Sequence, residues 1–323
     1  MLIRHTGACV LIRHTGGAFG LDLVPCVLIR HTGGGLQDRI TEPELGGAGR
    51  HGVNAAPIFA DQDTELHERA GGTGGSGQGD TLVGSQGYAG GMTYSPLGTD
   101  GSLRMYDTAI VGNEARLAAG LDIGGSGATL PIVLMNLLVA DNVATGSGGG
   151  IRVSLNGTTA FTLANSVVAN NTAAVHSGGI FYLPQNETTL SGQPTGIVNT
   201  IIWGNTAPEH PQMRATKGSL PQPVMALDHV LLEGGCLDTN AQQVSCSDVL
   251  DADPLFVDAP NGDYHLQTLS PAVDAGDQTL MPADLLDLDG DLVSDMELWP
   301  FDFDGAARVS GTEVDLGPYE ASP

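Results

Sequence analysis

The feature that most constrains the fold is an internal repeat in the middle of the chain. Five segments align on it with the same order of polar, aliphatic and asparagine positions. The aligned segments are RMYDTAIVGNEA from Arg104, VLMNLLVADNVA from Val133, TLANSVVANNTA from Thr162, GIVNTIIWGNTA from Gly196 and ALDHVLLEGG from Ala226. The period of about 29 residues is typical of a solenoid, in which each repeat buries its apolar face against its neighbours.

Three columns recur in the alignment, and each advances by the same step except where an insertion between Asn165 and Asn199 lengthens it. The first column contains Asp107, Asn136, Asn165, Asn199 and Asp228; the second contains Asn113, Asn142, Asn171 and Asn205; the third contains Ile110, Val139, Val168, Ile202 and Leu231. We predict that the aliphatic column faces the interior on successive coils. Because asparagine favours turns and its amide can both donate and accept, we predict that the second column forms a ladder of hydrogen bonds between coils.

The composition favours strands over helices within these repeats. Glycine accounts for 47 of 323 residues, and each glycine inside a helix costs about 1 kcal/mol relative to alanine. The repeating cores are short runs of Val, Ile and Leu, which suit strands of about five residues. We therefore predict an all-β parallel solenoid, with about three short strands per coil, over residues 51–235 and with regular coils from about residue 100.

The charge is strongly acidic and unevenly distributed. Twelve Lys and Arg residues oppose 37 Asp and Glu residues, for a net charge of −25, which argues against nucleic acid and anionic membrane surfaces as partners. The sequence has no apolar run long enough for a transmembrane helix. Residues 1–50 repeat the motif LIRHTG and are interpreted as a low-complexity tail, and residues 236–323 form an acidic region in which Arg308 is the only Arg or Lys.

Several motifs resemble a known family. The GGI and LANSVVANNTA segments are similar to the right-handed, single-stranded parallel β-helix of the pectate-lyase-like superfamily. The tail motifs DADPLFVD (Asp251–Asp258), NGDYHLQTLSPAVDAGD (Asn261–Asp277) and VDLGPYE (Val314–Glu320) resemble the C-terminal region of choice-of-anchor Q domain proteins. This resemblance implies a right-handed parallel β-helix with an acidic C-terminal capping region, in a bacterial protein that is secreted or displayed on the cell surface.

One acidic motif has the spacing of a cation-binding loop. In DLDGDLVSDMEL the alternating carboxylates are Asp287, Asp289, Asp291 and Asp295, and hard oxygen ligands at alternating positions are what Ca²⁺ requires. The sequence therefore predicts a structural Ca²⁺ site there, with a solvated acidic turn as the alternative.

Catalytic residues are difficult to find in the repeats. Arg152 is one of few candidate bases, and Asp122 and Asp141 could meet across coils, but no motif requires it. His176 and Trp203 could line a sugar platform, or could be an ordinary loop residue and an outward strand residue. We expect a monomeric scaffold that binds an extracellular polysaccharide or surface glycan without catalysis. A polysaccharide lyase or glycoside hydrolase is the alternative.

The cysteine pattern does not decide between an oxidising and a reducing compartment. Cys236 and Cys246 are separated by nine residues and could form a disulfide in an oxidising compartment, or could be two free thiols. An extracellular or cell-surface location is the expectation that follows from the family resemblance, although the first residues lack the apolar core of a secretion signal.

Overall fold

The protein folds as a parallel β-solenoid, as the repeat predicted. The computed structural model describes residues 9–15, 18–24, 52–53, 64–67, 71–74, 90–94, 103–125, 132–155, 160–183, 196–216, 225–236, 244–284, 297–298 and 301–321. These residues contain strands and short 3-10 turns, and no α-helix occurs among them. None of the helical segments in this described part has the length and apolar character of a membrane span.

Three parallel sheets form the solenoid. The long sheet contains β3 (Gly52–Val53), β4 (Thr64–His67), β5 (Gly71–Gly74), β7 (Leu103–Val111), β10 (Ile132–Ala140), β13 (Phe161–Ala164), β14 (Val167–Ala169), β17 (Gly196–Trp203), β19 (Met225–Leu232) and β20 (Val244–Leu250). The short sheet contains β6 (Met92–Tyr94), β9 (Leu121–Gly125), β12 (Ile151–Leu155), β16 (Ile180–Tyr182) and β18 (Met213–Ala215). The turn sheet contains β8 (Glu114–Ala115), β11 (Val143–Ala144) and β15 (Thr172–Ala173).

Three successive coils each contribute a strand to all three sheets, and the next coil contributes β17 and β18. Beyond residue 235, β20 still pairs in parallel with β19, so the long sheet extends into the acidic region. Three antiparallel pairs lie outside the coils. They are β1 (Cys9–Thr15) with β2 (Ala18–Val24), β21 (Phe256–Asp258) with β22 (Asp263–Leu266), and β23 (Ala283–Asp284) with β24 (Glu297–Leu298).

The predicted interior column is confirmed over four coils. Val139 pairs with Ile110 and Val168, and Val168 pairs with Ile202; all four side chains are buried in one core cluster. In the fifth repeat the prediction was wrong by one residue, because Ile202 pairs with Leu232 and Leu231 points to the opposite face. A slip of one residue exchanges the two faces of a strand, and here both faces are apolar, so hydrophobicity did not reveal it.

The first column is a line of left-handed residues that interrupts the long strands. The backbone φ is +45° at Asp107, +53° at Asn136, +44° at Asn165 and +48° at Asn199, a region in which Asn, Asp and His are enriched. The fifth member is His229 rather than the predicted Asp228, because Val198 pairs with Asp228 and Thr200 with Val230. His229 and Asp248 continue the column with φ of +51° and +48°.

The second column forms the predicted asparagine ladder in the solenoid interior. Asn113 Nδ2 donates to Asn142 Oδ1 at 2.8 Å, Asn142 Nδ2 to Asn171 Oδ1 at 2.8 Å, and Asn171 Nδ2 to Asn205 Oδ1 at 3.0 Å. The same oxygens accept the backbone N–H groups of the preceding asparagines. Gln212 ends the ladder, because its Oε1 accepts from Asn205 Nδ2 at 2.7 Å.

Replacement of Asn171 by alanine should destabilise the fold by about 2–4 kcal/mol. The side chain is fully buried, and its loss removes one hydrogen bond to the carbonyl of Val139, one to Asn205 Oδ1 and two from Asn142. Buried polar groups that lose a partner cost about 1–3 kcal/mol each before relaxation. Urea unfolding of the variant measures this cost. Asn261→Ala removes an exposed bond to Asp258 and should change the stability by less than about 0.5 kcal/mol.

The C-terminal region packs along the outward face of the long sheet. Strand residues that alternate with the interior column form a second apolar cluster with residues from the acidic region, including Leu316 and Tyr319. Gly317 lies over this face, where a Cβ would be 3.3 Å from Val167 and 3.4 Å from Ile201. The long strands are therefore covered on both faces, which explains their continuous apolar runs.

A buried ionic cluster joins the C-terminal region to the solenoid. Arg308 is 1% exposed and donates to the carbonyl oxygens of Asp315 and Gly317 at 3.0 and 2.8 Å. Its Nη2 lies 3.1 Å from Glu320 Oε1, and its Nη1 donates to Asn136 of the first column at 3.4 Å. Arg308 is thus the cation around which this part of the acidic region folds.

The stability of the folded chain should fall as the pH rises from about 5 to 8. Burial raises the pKa of Glu320 to about 7 despite Arg308. Burial would lower the pKa of His265, but hydrogen bonds to Asp304 and Asp263 outweigh it and raise that pKa. In this pH range the folded state therefore binds more protons than the unfolded state, and the stability from both groups is lost as the pH passes their folded pKa values.

A series of melting temperatures from pH 4.5 to 8.5 measures this dependence. Glu320→Gln should flatten the curve, since it removes the titration of a group whose folded pKa, about 7, lies within this range. A melting temperature that increases between pH 5 and 8 in the unmodified chain would contradict the prediction.

A disulfide joins the segment after β19 to β20. Cys236 and Cys246 are bonded, with their Cα atoms 6.5 Å apart, which settles the pairing that the sequence left open. The bond adds a covalent link from β20 to the chain four residues beyond the end of β19.

Candidate functional site

The outward face of the short sheet carries a row of functional side chains on successive coils. Arg152 pairs with Asp122 on one side and with Phe181 on the other, and Phe181 pairs with Arg214. Each of these residues is the middle residue of a short segment whose flanking residues point into the core, so alternation directs the four side chains outward. Neighbouring strands lie about 4.8 Å apart, and the row therefore forms a continuous strip.

The first half of the strip is an ion pair between neighbouring coils. Arg152 Nη1 lies 2.8 Å from Asp122 Oδ1, and the side chains are 20% and 10% exposed. Burial raises the pKa of Asp122, and the charge and hydrogen bond of Arg152 offset only part of this effect. The pair is therefore largely buried, and the Arg152 side chain is its more exposed member.

The second half of the strip is an aromatic ring bordered by basic side chains. The Arg214 guanidinium carbon lies 6.0 Å from the centre of the Phe181 ring, within the range of a cation–π contact. The His176 ring lies 6.2 Å from the same ring, at 53° to it. Phe181 thus has a guanidinium and an imidazole beside it, and the next strand on its other side carries Arg152.

Glu209 completes this surface from the turn after β17. Its Oε2 lies 3.1 Å from His176 Nδ1 and 3.6 Å from Arg214 Nη1, and a parallel backbone bridge joins His176 to Glu209. Arg214 Nε is buried, and among the residues that the structure describes it has no hydrogen-bond partner. We name the surface formed by Asp122, Arg152, His176, Phe181, Glu209 and Arg214 the Arg–Phe face.

The Arg–Phe face has polar groups without an excess of charge. Two arginines oppose two carboxylates, and both pairs are in contact. Planar guanidinium and carboxylate groups can donate to and accept from hydroxyl groups in fixed directions, while the aromatic ring offers an apolar, electron-rich surface. The arrangement is suited to hold a flat, hydroxyl-rich ligand that carries no net charge.

The structure places the residues singled out from the sequence in different locations. Asp122, Arg152 and His176 come together on the Arg–Phe face. The proposed meeting of Asp122 with Asp141 does not occur, because Asp141 follows a strand of the long sheet and its carboxylate contacts the hydroxyl of Tyr264 at 3.3 Å. Trp203 packs against the apolar cluster that the long sheet and the acidic region form together, and it does not lie on this face.

Asp287, Asp289, Asp291 and Asp295 lie outside the described residues, so the Ca²⁺ site stays a prediction.

Sequence reasoning missed Phe181, Glu209 and Arg214. The glycine pairs that precede β12 and β16 place Arg152 and Phe181 at the same position after the pair, a signal that could have identified Phe181. Arg214 belongs to the coil that follows the lengthened step of the repeat, where insertions shift the spacing, and no period identifies it.

Comparison with known proteins adds no assignment. No family model, no curated protein and no solved structure matches this chain. The structure therefore assigns a fold, the parallel β-solenoid, and the fold alone does not indicate a function, since one fold can support many functions.

Proposed function

We propose that this protein is an extracellular or cell-surface β-solenoid that binds a neutral glycan on its Arg–Phe face without cleaving it. The observation that carries the proposal is the row Asp122, Arg152, Phe181 and Arg214 on consecutive coils. The C–H groups on one side of a sugar ring can pack on the face of Phe181, and the flanking ion pairs can hydrogen-bond its hydroxyl groups.

Electrostatics favour a neutral ligand over an acidic one. The arginines of the face are already paired with carboxylates, so they offer no surplus positive charge. The net charge of −25 repels polyanions at long range. Acidic polysaccharides should therefore bind more weakly than neutral ones.

Two observations support an extracellular location. The Cys236–Cys246 disulfide is typical of an oxidising compartment. The tail motifs resemble choice-of-anchor Q domain proteins of the right-handed parallel β-helix superfamily, which are exported. The asparagine ladder and the C-terminal cover are structural elements and require no ligand.

The alternative is a carbohydrate-active enzyme that uses the same face. The observation that favours it is Asp122, whose pKa is raised by burial beside Arg152, since a perturbed carboxyl group is a common feature of acid–base catalysts. The two carboxylates of the face, Asp122 and Glu209, belong to separate ion pairs. They are not paired with each other.

Titration calorimetry with neutral oligosaccharides, such as those of glucose, xylose and mannose, tests the proposal. Phe181→Ala should weaken binding at least about tenfold, equivalent to about 1.4 kcal/mol. Phe301→Ala, which truncates an aromatic side chain of the C-terminal region that is 38% exposed, should leave binding unchanged.

The same samples should be assayed for new reducing ends and for unsaturated sugar products. Product formation that Arg152→Ala or Asp122→Asn abolishes would establish the enzyme instead. Equal affinity of the Phe181→Ala variant and the unmodified chain would remove the Arg–Phe face as the binding site.

A further inference from the structure

A second cluster of functional side chains lies on the last two strands of the long sheet, away from the Arg–Phe face. Asp228 pairs with Ser247 and Val230 pairs with Val249, so His229 of β19 lies opposite Asp248 of β20. These two residues are the last members of the left-handed column. The register of β19 and β20 does not follow the regular repeat. It brings an imidazole and a carboxylate side by side on adjacent strands.

The cluster contains three groups that can ligate a metal ion. One ligand atom from each of Asp228, His229 and Asp248 lies within 4.8 Å of the other two. His229 Nδ1 and Asp228 Oδ1 are 2.9 Å apart. This is the distance of a hydrogen bond. Two ligands at about 2.1 Å from a metal ion would be about 3.0 Å apart at right angles and about 3.4 Å apart in a tetrahedral site, so an ion could replace this hydrogen bond with a small movement.

The charge of the cluster is not balanced by basic residues. Asp228 and Asp248 bring two carboxylates together, and among the described residues no lysine or arginine forms an ion pair with either of them. The surrounding region is acidic as well, since the backbone of Asp277 exchanges hydrogen bonds with Asn199, the neighbouring member of the same column. Two nearby carboxylates in such a region favour a bound cation.

The side chains are positioned for access from solvent. The Asp228 and His229 side chains are 36% and 26% exposed, and Asp248 is exposed. Three protein ligands on one side leave the remaining coordination positions open to water. A site with exposed ligands and open coordination positions can exchange its metal ion with the solution.

We propose that Asp228, His229 and Asp248 bind a divalent transition-metal ion. One imidazole nitrogen with two carboxylate oxygens suits Zn²⁺ or Mn²⁺ better than Ca²⁺, which takes six to eight oxygen ligands. The ion would connect β19 to β20 and so reinforce the last pair of strands in the long sheet, next to the Cys236–Cys246 disulfide. This site is independent of the acidic loop predicted from the sequence, which offers only oxygen ligands.

Titration calorimetry of the metal-free, full-length chain with Zn²⁺ and Mn²⁺ tests the site. We expect one equivalent of Zn²⁺ to bind and to raise the melting temperature. His229→Asn should weaken binding at least tenfold, and so should Asp248→Asn. Asparagine already occupies the equivalent position in three other coils with a positive φ, so both substitutions remove a ligand and keep the backbone conformation.

Two control variants separate this site from other acidic groups. Asp107→Asn makes the same change at the opposite end of the same column and should leave Zn²⁺ affinity unchanged. A variant with asparagine at Asp287, Asp289, Asp291 and Asp295 should also bind Zn²⁺ like the unmodified chain. The proposal is overturned if His229→Asn binds Zn²⁺ as tightly as the unmodified chain, or if the quadruple variant alone loses it.

Discussion

Replacement of Val168 by aspartate should destabilise the solenoid by about 4–5 kcal/mol or prevent it from folding. Val168 is fully buried between Val139 and Ile202 of the interior column. The variant loses the burial of an aliphatic side chain, which contributes about 1.5–3 kcal/mol. It also places a carboxyl group where it has no partner, and that group must be buried as a charge or protonated at a cost.

Urea unfolding monitored by circular dichroism measures this effect. Val143→Asp is the matched control, since Val143 is 40% exposed in a neighbouring strand of the same coil region and should change the stability by less than about 0.5 kcal/mol. If Val168→Asp unfolds at the same urea concentration as the unmodified chain, the inward orientation of the column is incorrect.

Replacement of Arg308 by methionine should cost about 3–5 kcal/mol and release the C-terminal region from the long sheet. The guanidinium group is almost completely buried and balances the charges of Asp302, Asp315 and Glu320. Methionine fills a similar volume but leaves these carboxylates without a cation, and removal of one partner from a buried ionic cluster is strongly destabilising.

Fluorescence of Trp203 reports the release directly. Its side chain packs against the apolar cluster that the long sheet and the acidic region form together, and Trp299→Phe removes the only other tryptophan of the chain. In that background Arg308→Met should shift the emission to longer wavelength, while Arg116→Met, a change at an exposed arginine, should not. An unchanged emission spectrum and unchanged stability would show that the cluster does not anchor the region.

Much of the solenoid could be predicted from local sequence because each coil meets its neighbours one repeat period away. Identical spacing places equivalent residues on top of one another, so the Asn142 and Asn171 ladder and the Val139 and Val168 stack follow from alignment alone. Where insertions change the spacing, this inference fails. His229 and Leu232 were missed because the step from β17 to β19 is one residue longer than the regular period at these positions.

The candidate site was predicted only in part for the same reason. Asp122 and Arg152 lie in regular coils, but they are 30 residues apart, one more than the period, so the repeat alone would place Ile151 opposite Asp122. Arg214 and Glu209 come from a coil with inserted residues, and no repeat predicts that they meet Phe181 and His176. The Asp228, His229 and Asp248 cluster depends on a pairing between strands whose separation matches none of the earlier repeats.

The sequence by itself determined that the chain stacks short parallel strands and that aliphatic and asparagine columns align. Both properties depend on a regular period and on residue type, which a single sequence contains. Only the tertiary structure decided what covers the second apolar face of the long sheet. That cover comes from residues far away in the chain, such as Phe301, which is 165 positions beyond Asn136 and accepts from it through its carbonyl. Contacts of that kind depend on where loops of irregular length return the chain.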